Sequence, residues 1–202
     1  MAEEKSIESY KKELEDRMIN DLFTYLREGT APTKPKDLDN NMICHNIIYN
    51  LTDDNKGNIL LEYHNEIITK AVTECYEKIK DLTDSEFLDS LILYTERLNF
   101  FIFVMSRIFI YLSTNYLKAA EDANNVRLFK QDNICEFSMD IYKTNLYDKL
   151  KEKIEGVLKA DNINEEKKEK IKNIISYVEL KKPKIIKTGT VTFAWTETEK
   201  NC

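Results

Sequence analysis

Only two side chains in this sequence, His45 and His64, titrate near neutral pH and could act there as general bases or metal ligands. His45 follows Cys44 directly, and such a pair is compatible with a nucleophile or a metal site. Adjacent side chains on a helix point about 100° apart, however, and lack the i,i+4 spacing that places two ligands on one face. We therefore predict a half-buried Cys44 and a surface His45. An enzyme that relies on Cys44, His45 or His64 is one functional hypothesis, ranked third after two non-catalytic ones that are given below.

Motifs for other catalytic chemistry are missing from the sequence. The chain has no GxxxxGK[ST] or GxGxxG loop to bind phosphates and no HExxH motif to bind zinc. Its many carboxylates follow helix surfaces, where solvated charge is the ordinary arrangement. We predict a non-catalytic protein with no cofactor and no bound metal.

The charge of the chain argues against nucleic acid as a partner. The net charge is −6, and no basic stripe is present that could neutralise phosphates. The one basic cluster, Lys181, Lys182, Lys184 and Lys187, surrounds Pro183. We interpret it as a solvated tail, with a localisation signal as the alternative.

The sequence predicts a cytoplasmic protein, or a nuclear one if that cluster is a signal. Met1–Lys12 is charged and lacks the apolar core of a signal peptide. The most apolar stretch, Phe100–Leu112, contains Arg107 and spans about 13 residues, fewer than the roughly 20 that cross a bilayer. The four cysteines are far apart, which favours reduced thiols. We expect no membrane contact, and the sequence leaves the oligomeric state open.

Apolar residues recur at three- and four-residue spacing along most of the chain, which predicts an all-α bundle of amphipathic helices. The first expected helices are Ile7–Arg27, a short one from Asp37 or Asp39 to Tyr49–Leu51, Ile59–Lys80, and one from a capping box at Thr83–Glu86 through Leu98. The later ones are Phe100–Lys118 as a continuation or a bend, one bent helix or two helices over Phe137–Leu158, and a last helix capped by Asn162 or Asn164 and ending near Leu180.

This pattern divides the chain into a helical domain at 1–180 and a basic, polar tail at 181–202. Within the tail, Lys187–Thr196 alternates apolar and polar residues as a strand does. We expect either a short β hairpin or a flexible segment there.

The segment Phe100–Leu112 carries more apolar residues than one helix face can hold. Phe101, Met105, Ile108 and Leu112 share one stripe, and the other phenylalanines lie around the rest of the circumference. Such a helix is either buried on all sides or buried in part, with its remaining face open to a partner. The residues alone leave both alternatives open.

Four segments resemble the first repeat of the cullin family. Arg107–Leu117 is similar to the fifth helix of that repeat, which shows an apolar pair, Tyr-Leu, a polar pair and Tyr-Val. Met42–Asn50 occupies the place of a second helix of the Leu-Tyr-x-x-x-Tyr type. Phe137–Thr144 is similar to the family's Leu-Gly-Leu-x-x-Phe-Arg-Asp, and Ile171–Leu180 to the helix that closes the repeat. The collinear match covers about Met18–Leu180 and implies an elongated, cullin-repeat type of helical bundle.

Cullins are scaffolds of ubiquitin ligases whose second and fifth helices bind a BTB/POZ-fold adaptor. The resemblance therefore implies that this chain binds such an adaptor. Carried over by position, the implied partner-binding residues are Asn41, Met42, His45 and Tyr49 on the second helix and Phe103, Arg107 and Tyr111 on the fifth. Aromatic and arginine side chains are typical anchors of protein interfaces.

The sequence also departs from the family pattern. His45 stands in place of a tyrosine, Ser113-Thr114 in place of Asp-Arg, and Tyr94 in the approximate place of a tryptophan. The match ends after about one repeat, before the parts that recruit the RING partner. We therefore expect adaptor binding without ubiquitin transfer, as a competitor of full cullins or half of a split scaffold. The second hypothesis is an unrelated helical interaction module, such as a tether-complex fragment, whose aromatic helix serves only as core.

Overall fold

The computed structural model describes residues 6–30, 37–54, 56–117, 133–159 and 163–179. Every regular element in these ranges is helical, and none of the ranges contains a strand. The predicted all-α helical bundle is therefore confirmed. The boundary at residue 180, the tail 181–202 and the strand-like segment Lys187–Thr196 lie outside the described residues and stay predictions.

The described ranges contain α-helices and short π-helical segments, in which the turn is wider and the hydrogen bonds run from i to i+5. In chain order the elements are α1 (Ile7–Leu14), π1 (Glu15–Ile19), α2 (Asn20–Glu28), α3 (Asp37–Asp53), α4 (Gly57–Ile79), α5 (Asp84–Ile108), π2 (Leu112–Leu117), α6 (Ile134–Tyr142), π3 (Lys143–Tyr147), α7 (Asp148–Leu158) and α8 (Glu165–Glu179).

The predicted first helix forms as α1, π1 and α2, which follow one another without a gap. It ends at Gly29, whose φ of 72° lies in the left-handed region that glycine adopts without strain. Arg97 of α5 donates from Nη1 to the carbonyls of Leu26 and Arg27, at 3.2 and 2.9 Å. These last-turn carbonyls have no donor within their own helix, so Arg97 caps α2 and ties it to α5.

Two expectations about the helices before α5 differ in detail from the structure. The second helix is present as α3, which runs from Asp37 to Asp53, two residues beyond the expected end at Tyr49–Leu51. Thr83 is the N-cap of α5, but the capping box does not form as predicted. The Thr83 hydroxyl donates to Oε2 of Glu86 at 3.0 Å, and its oxygen accepts no capping bond from the helix. The amides of Glu86 and Phe87 donate instead to the backbone carbonyl of Thr83, at 3.0 and 2.7 Å.

The C-terminal helices agree with the expected pattern. α6, π3 and α7 form one uninterrupted helical stretch, which matches the single-helix alternative. The side chain of Asn164 accepts from the backbone N–H of Glu166 at 2.7 Å, so Asn164 caps α8. Asn162, the other predicted cap, lies outside the described residues.

α4 and α5 form the centre of the bundle. α4 packs against α3, α5, α6, π2 and π3, and α5 packs against α2, α3, α4, α6 and α8. Fully buried side chains line α5 along its inner sides: Phe87, Leu91, Leu98, Phe101, Ile102 and Met105. Across the described residues, none of the helices combines the length and the apolar content that a bilayer crossing requires.

The π2 segment lies very close to the start of α4. The ring of Tyr116 covers Gly57, the buried first residue of α4, so that a Cβ at this position would overlap the ring. Only glycine permits this approach. The contact fixes the chain after α5 against α4.

We predict that Gly57→Ala lowers the free energy of unfolding by about 1–3 kcal/mol, because the added methyl group forces the Tyr116 ring away. Gly156 provides the control, since it is exposed on α7 and a Cβ there would meet no atom within 4 Å. Gly156→Ala should raise stability by about 0.5–1 kcal/mol. Urea unfolding of both variants measures the difference, and equal stabilisation by both would contradict the close contact.

Candidate functional site

The candidate site is built around a break in the central helix. α5 ends at Ile108, and Phe109 adopts φ −89° and ψ 18°, outside the helical region. The amide of Leu112 donates to the carbonyl of Phe109 at 3.0 Å, an i−3 acceptor, whereas the α-helical acceptor would be Ile108. Ile110 and Tyr111 return to helical geometry before π2 begins. Both are exposed, Ile110 by 39% and Tyr111 by 37%.

His45 of α3 packs against this break. Its ring is half-buried, and its buried Nδ1 has no hydrogen-bond partner among the described residues. Burial lowers the pKa of His45 below its usual value of 6.5, and the charge of Arg107 lowers it further. The ring is therefore neutral at neutral pH.

Three aromatic rings meet beside the break. The ring of Tyr111 lies 5.1 Å from the ring of Tyr49 at 75°, and 6.2 Å from the ring of His45 at 88°. Both contacts are edge-to-face, which is a favourable arrangement for aromatic rings. Tyr49 is 42% exposed and Met42, one turn before His45, is 59% exposed. We refer to Met42, His45, Tyr49, Ile110 and Tyr111 as the α3–α5 face.

The structure brings together four of the seven residues that the resemblance implied. His45, Tyr49 and Tyr111 are in ring contact, and the charge of Arg107 acts on His45. Phe103 is half-buried and makes no ring contact with these three within the described part of the chain. Met42 is the most exposed member of the set, whereas the side chain of Asn41 lies outside the described part of the structure.

The predicted burial of Cys44 and His45 was wrong. Cys44 is fully buried and His45 is half-buried, because α3 is covered by π1, α4, α5 and π2. Burial raises the pKa of the Cys44 thiol to about 11, so that the thiol is protonated and a poor nucleophile at neutral pH.

Of the two alternatives for the aromatic helix, partial burial is the one observed. Phe101, Ile102 and Phe109 are fully buried, on the same broad side of the helix as Met105 and Ile108, and Phe103 on another side is half-buried. The reason is the central position of α5 among five other elements. The apolar excess that remains exposed lies at the end of this segment, in Ile110 and Tyr111.

The sequence analysis did not select Ile110 as a site residue. It also overlooked the depletion of charged residues in the two segments that form the face. Residues 40–52 contain no charged side chain, and residues 98–117 contain only Arg107, in a chain with 36 acidic and 30 basic residues. Where the structure describes side-chain burial, the exposed amides and threonines of these two segments are Asn46, Asn50, Thr114 and Asn115. Depletion of charge together with enrichment of Tyr, Met and Arg is typical of interface cores. This depletion is readable in the sequence and would have located the face.

Metal and pocket chemistry has no support within the described residues. No three His, Cys, Asp or Glu side chains there are placed to hold a metal ion. A shallow cavity of about 660 Å³ lies along the outer side of α4, lined by residues that include Glu62, Glu66 and Glu74. Neither this cavity nor a smaller one beside Glu13 and Arg17 is bordered by Cys44, His45 or His64.

Comparison of the chain with protein-family models, with curated proteins and with solved structures found no match.

We predict that the Tyr49–Tyr111 contact contributes measurably to stability. In a double-mutant cycle of Tyr49→Leu and Tyr111→Leu, the coupling energy should be about 0.5–1 kcal/mol, because leucine retains apolar area but removes the edge-to-face geometry. Unfolding in urea of the four proteins gives this value. Strictly additive effects would mean that the two rings do not interact in solution.

Proposed function

We propose that this chain is a non-catalytic interaction module that binds a BTB/POZ-fold adaptor through the α3–α5 face, as its resemblance to the cullin repeat implies. In this proposal it transfers no ubiquitin itself. It acts as a competitor of full cullins or as one half of a split scaffold, within the cytoplasm or the nucleus.

The main support is the chemistry of the α3–α5 face. Two tyrosines and a methionine are exposed where the chain carries no carboxylate, and Arg107 is the one formal charge of the two segments. Surface that serves only solvation would be expected to carry Lys and Glu, as the exposed positions of α7 and α8 do. Tyrosine, methionine and arginine are the residues that anchor interfaces at low entropic cost.

A second support is that two residues matched separately to different cullin helices lie next to each other in space. Tyr49 and Tyr111 belong to segments that are far apart in the chain, and each was identified through its own resemblance to a cullin helix. Their rings are in contact at 5.1 Å. A chance resemblance of two unrelated segments would not require them to form one surface.

The alternative, an unrelated helical module with α5 as core only, is supported by the burial of Phe101 and Phe109. Under this alternative Tyr49 and Tyr111 are incidental surface residues. The two proposals differ in what happens when these residues are changed in the presence of an adaptor.

We predict that the chain co-elutes with at least one purified BTB/POZ-fold adaptor. The pair Tyr49→Ala and Tyr111→Ala should weaken that complex by roughly 30- to 700-fold, because each anchor contributes on the order of 1–2 kcal/mol. Leu93→Ala is the matched control, since Leu93 lies on α5 and is as exposed as Tyr49, at 42%. It should leave the affinity unchanged. Failure to bind any adaptor, or equal losses in all variants, would contradict the proposal.

We also predict that Met42→Glu weakens binding while leaving the fold intact. Met42 is 59% exposed, so a carboxylate is solvated in the free protein but loses water when a partner covers it. The loss should be at least tenfold, whereas Leu93→Glu should have little effect. Calorimetric titration measures affinity, and the thermal midpoint checks the fold. Unchanged affinity in Met42→Glu would place the contact surface elsewhere.

A further inference from the structure

Long runs without a charged residue are rare in this chain, yet they build the α3–α5 face. Charged residues make up 33% of the sequence, and four uninterrupted runs of nine or more residues lack them: 40–52, 98–106, 108–117 and 188–196. The first and the third contain all five residues of the α3–α5 face, and the second lies within α5. The fourth run belongs to the tail, outside the described residues, and shares the composition of the other three.

The run 188–196 is apolar on one side only. Side chains alternate in an extended chain, so Val191, Phe193 and Trp195 would share one side, and Glu197 would follow on that side. The opposite side would carry only threonine and alanine, at positions 190, 192, 194 and 196. Such a segment has one side to bury and one side that can remain in water.

The spacing of these apolar side chains fits the α3–α5 face. From Val191 to Trp195 an extended chain spans about 13 Å, at roughly 3.3 Å per residue. From Met42 to Tyr49 the axis of α3 rises by about 10 Å, at roughly 1.5 Å per residue. The ring of Tyr111 widens this ridge through its contact with Tyr49 at 5.1 Å. The two apolar surfaces are therefore similar in length.

The charges of the segment and of the face are complementary. Arg107 lies one turn before Tyr111, is half-buried, and is the one formal charge in the two segments that form the face. Glu197 lies two residues beyond Trp195, at the same spacing that separates the apolar side chains. A carboxylate on the docked segment would thus meet a cation, on a face that carries no carboxylate of its own.

The end of α8 lies within reach of the face. α8 packs against π3, where the charge of Glu179 acts on Lys143. From π3, α6 leads back over nine residues, or about 14 Å, to Ile134, whose amide donates to Ser113 at 2.9 Å. Ser113 follows Tyr111 by two residues. The chain from Glu179 to residue 188 can span about 30 Å, so it is long enough to pass around the bundle to the face.

We propose that residues 188–196 dock in an extended conformation on the α3–α5 face of their own chain. The apolar side of the segment contacts Met42 and the two tyrosine rings, and Glu197 lies beside Arg107. The tail is then an internal competitor that an adaptor must displace. This competition rests on the proposed function, whereas the docking itself does not.

Tethering makes a weak contact sufficient. A short linker holds the segment at an effective concentration on the order of 1 mM at the face. If the free segment binds with a dissociation constant of roughly 0.3 mM, about three molecules in four are docked, because the ratio of the two concentrations is about three. The face is therefore covered for part of the time, and the affinity for an adaptor is reduced about fourfold.

Trp195 is the single tryptophan of the chain, so its fluorescence reports the docking directly. In the full chain we expect acrylamide to quench Trp195 about three- to fourfold less than in a synthetic peptide of residues 180–202, because about three molecules in four are docked. Met42→Glu should restore the quenching of the peptide. Leu93→Glu is the control, since Leu93 is also exposed but does not belong to the face, and it should leave the protection unchanged.

A pair of changes in the tail repeats the test without altering the bundle. Phe193→Asp should abolish the protection of Trp195, because the new carboxylate would have to lie on the apolar face without a water shell. Thr192→Asp adds the same charge one residue away, on the side that remains in water, and should leave the protection unchanged. The difference between these two variants measures whether one side of the segment is buried.

Three results would overturn the docking. The first is quenching of Trp195 in the full chain that equals quenching in the peptide. The second is equal quenching in Phe193→Asp and Thr192→Asp. The third is protection that grows with protein concentration, because it would mean that the tail binds a second copy and not its own chain.

Adaptor affinity tests the competition separately. Phe193→Asp should raise this affinity about fourfold, because the open fraction of the face rises from about one quarter to one. Thr192→Asp should not change it. Since Met42→Glu also frees the tail, the double variant with Phe193→Asp isolates its direct effect on adaptor binding.

The outcomes distinguish the two proposals. Equal adaptor affinity in the wild type and in Phe193→Asp, with Trp195 protected in the wild type, would overturn the competition. A chain that protects Trp195 but binds no adaptor would contradict the proposed function and leave the docking standing.

Discussion

A helix that passes through the middle of a bundle cannot break without leaving backbone groups that need new hydrogen-bond partners. α5 is surrounded by five elements and breaks at Phe109, where the Leu112 amide turns to an i−3 acceptor. The His45 ring of α3 packs beside this break, against Tyr111, and its buried Nδ1 has no hydrogen-bond partner among the described residues. On the inner side, the rings of His64 and Phe109 meet, and Gly57 lets Tyr116 approach the start of α4. The break is therefore held from both sides.

The same constraint separates core from surface along one apolar segment. Before the break the phenylalanines at 101 and 109 are fully buried, whereas Ile110 and Tyr111 emerge after it. α3 then places Tyr49 against Tyr111, so that two moderately exposed rings shield each other without either being enclosed. Apart from Arg107, charged residues surround this area in sequence but do not enter it. The amides and hydroxyls keep a surface of this kind hydrated. Removing that water when a partner binds costs less free energy than desolvating charged side chains would.

Much of the fold could be predicted from the sequence, because helical periodicity and caps are local properties. The end of α2 at Gly29 and the Asn164 cap of α8 follow from single residues and their neighbours. A bend after Leu98 was one of the two alternatives, but no Pro or Gly marks the position of the break at Phe109. The burial of His45 and Cys44 was misjudged because it depends on how α3 crosses π1 and α5. Periodicity alone could not pair Tyr49 with Tyr111, and only the family resemblance suggested that pairing.

The central claim is that a protein partner covers the α3–α5 face, and hydroxyl-radical footprinting of an adaptor complex tests it most directly. Oxidation of Met42, Tyr49 and Tyr111 should slow when the adaptor is bound, because their exposed atoms become buried at the interface. Leu93, which is equally exposed on the same central helix, should react at its free rate. A complex in which Met42, Tyr49 and Tyr111 keep their free oxidation rates, with protection elsewhere, would contradict the claim.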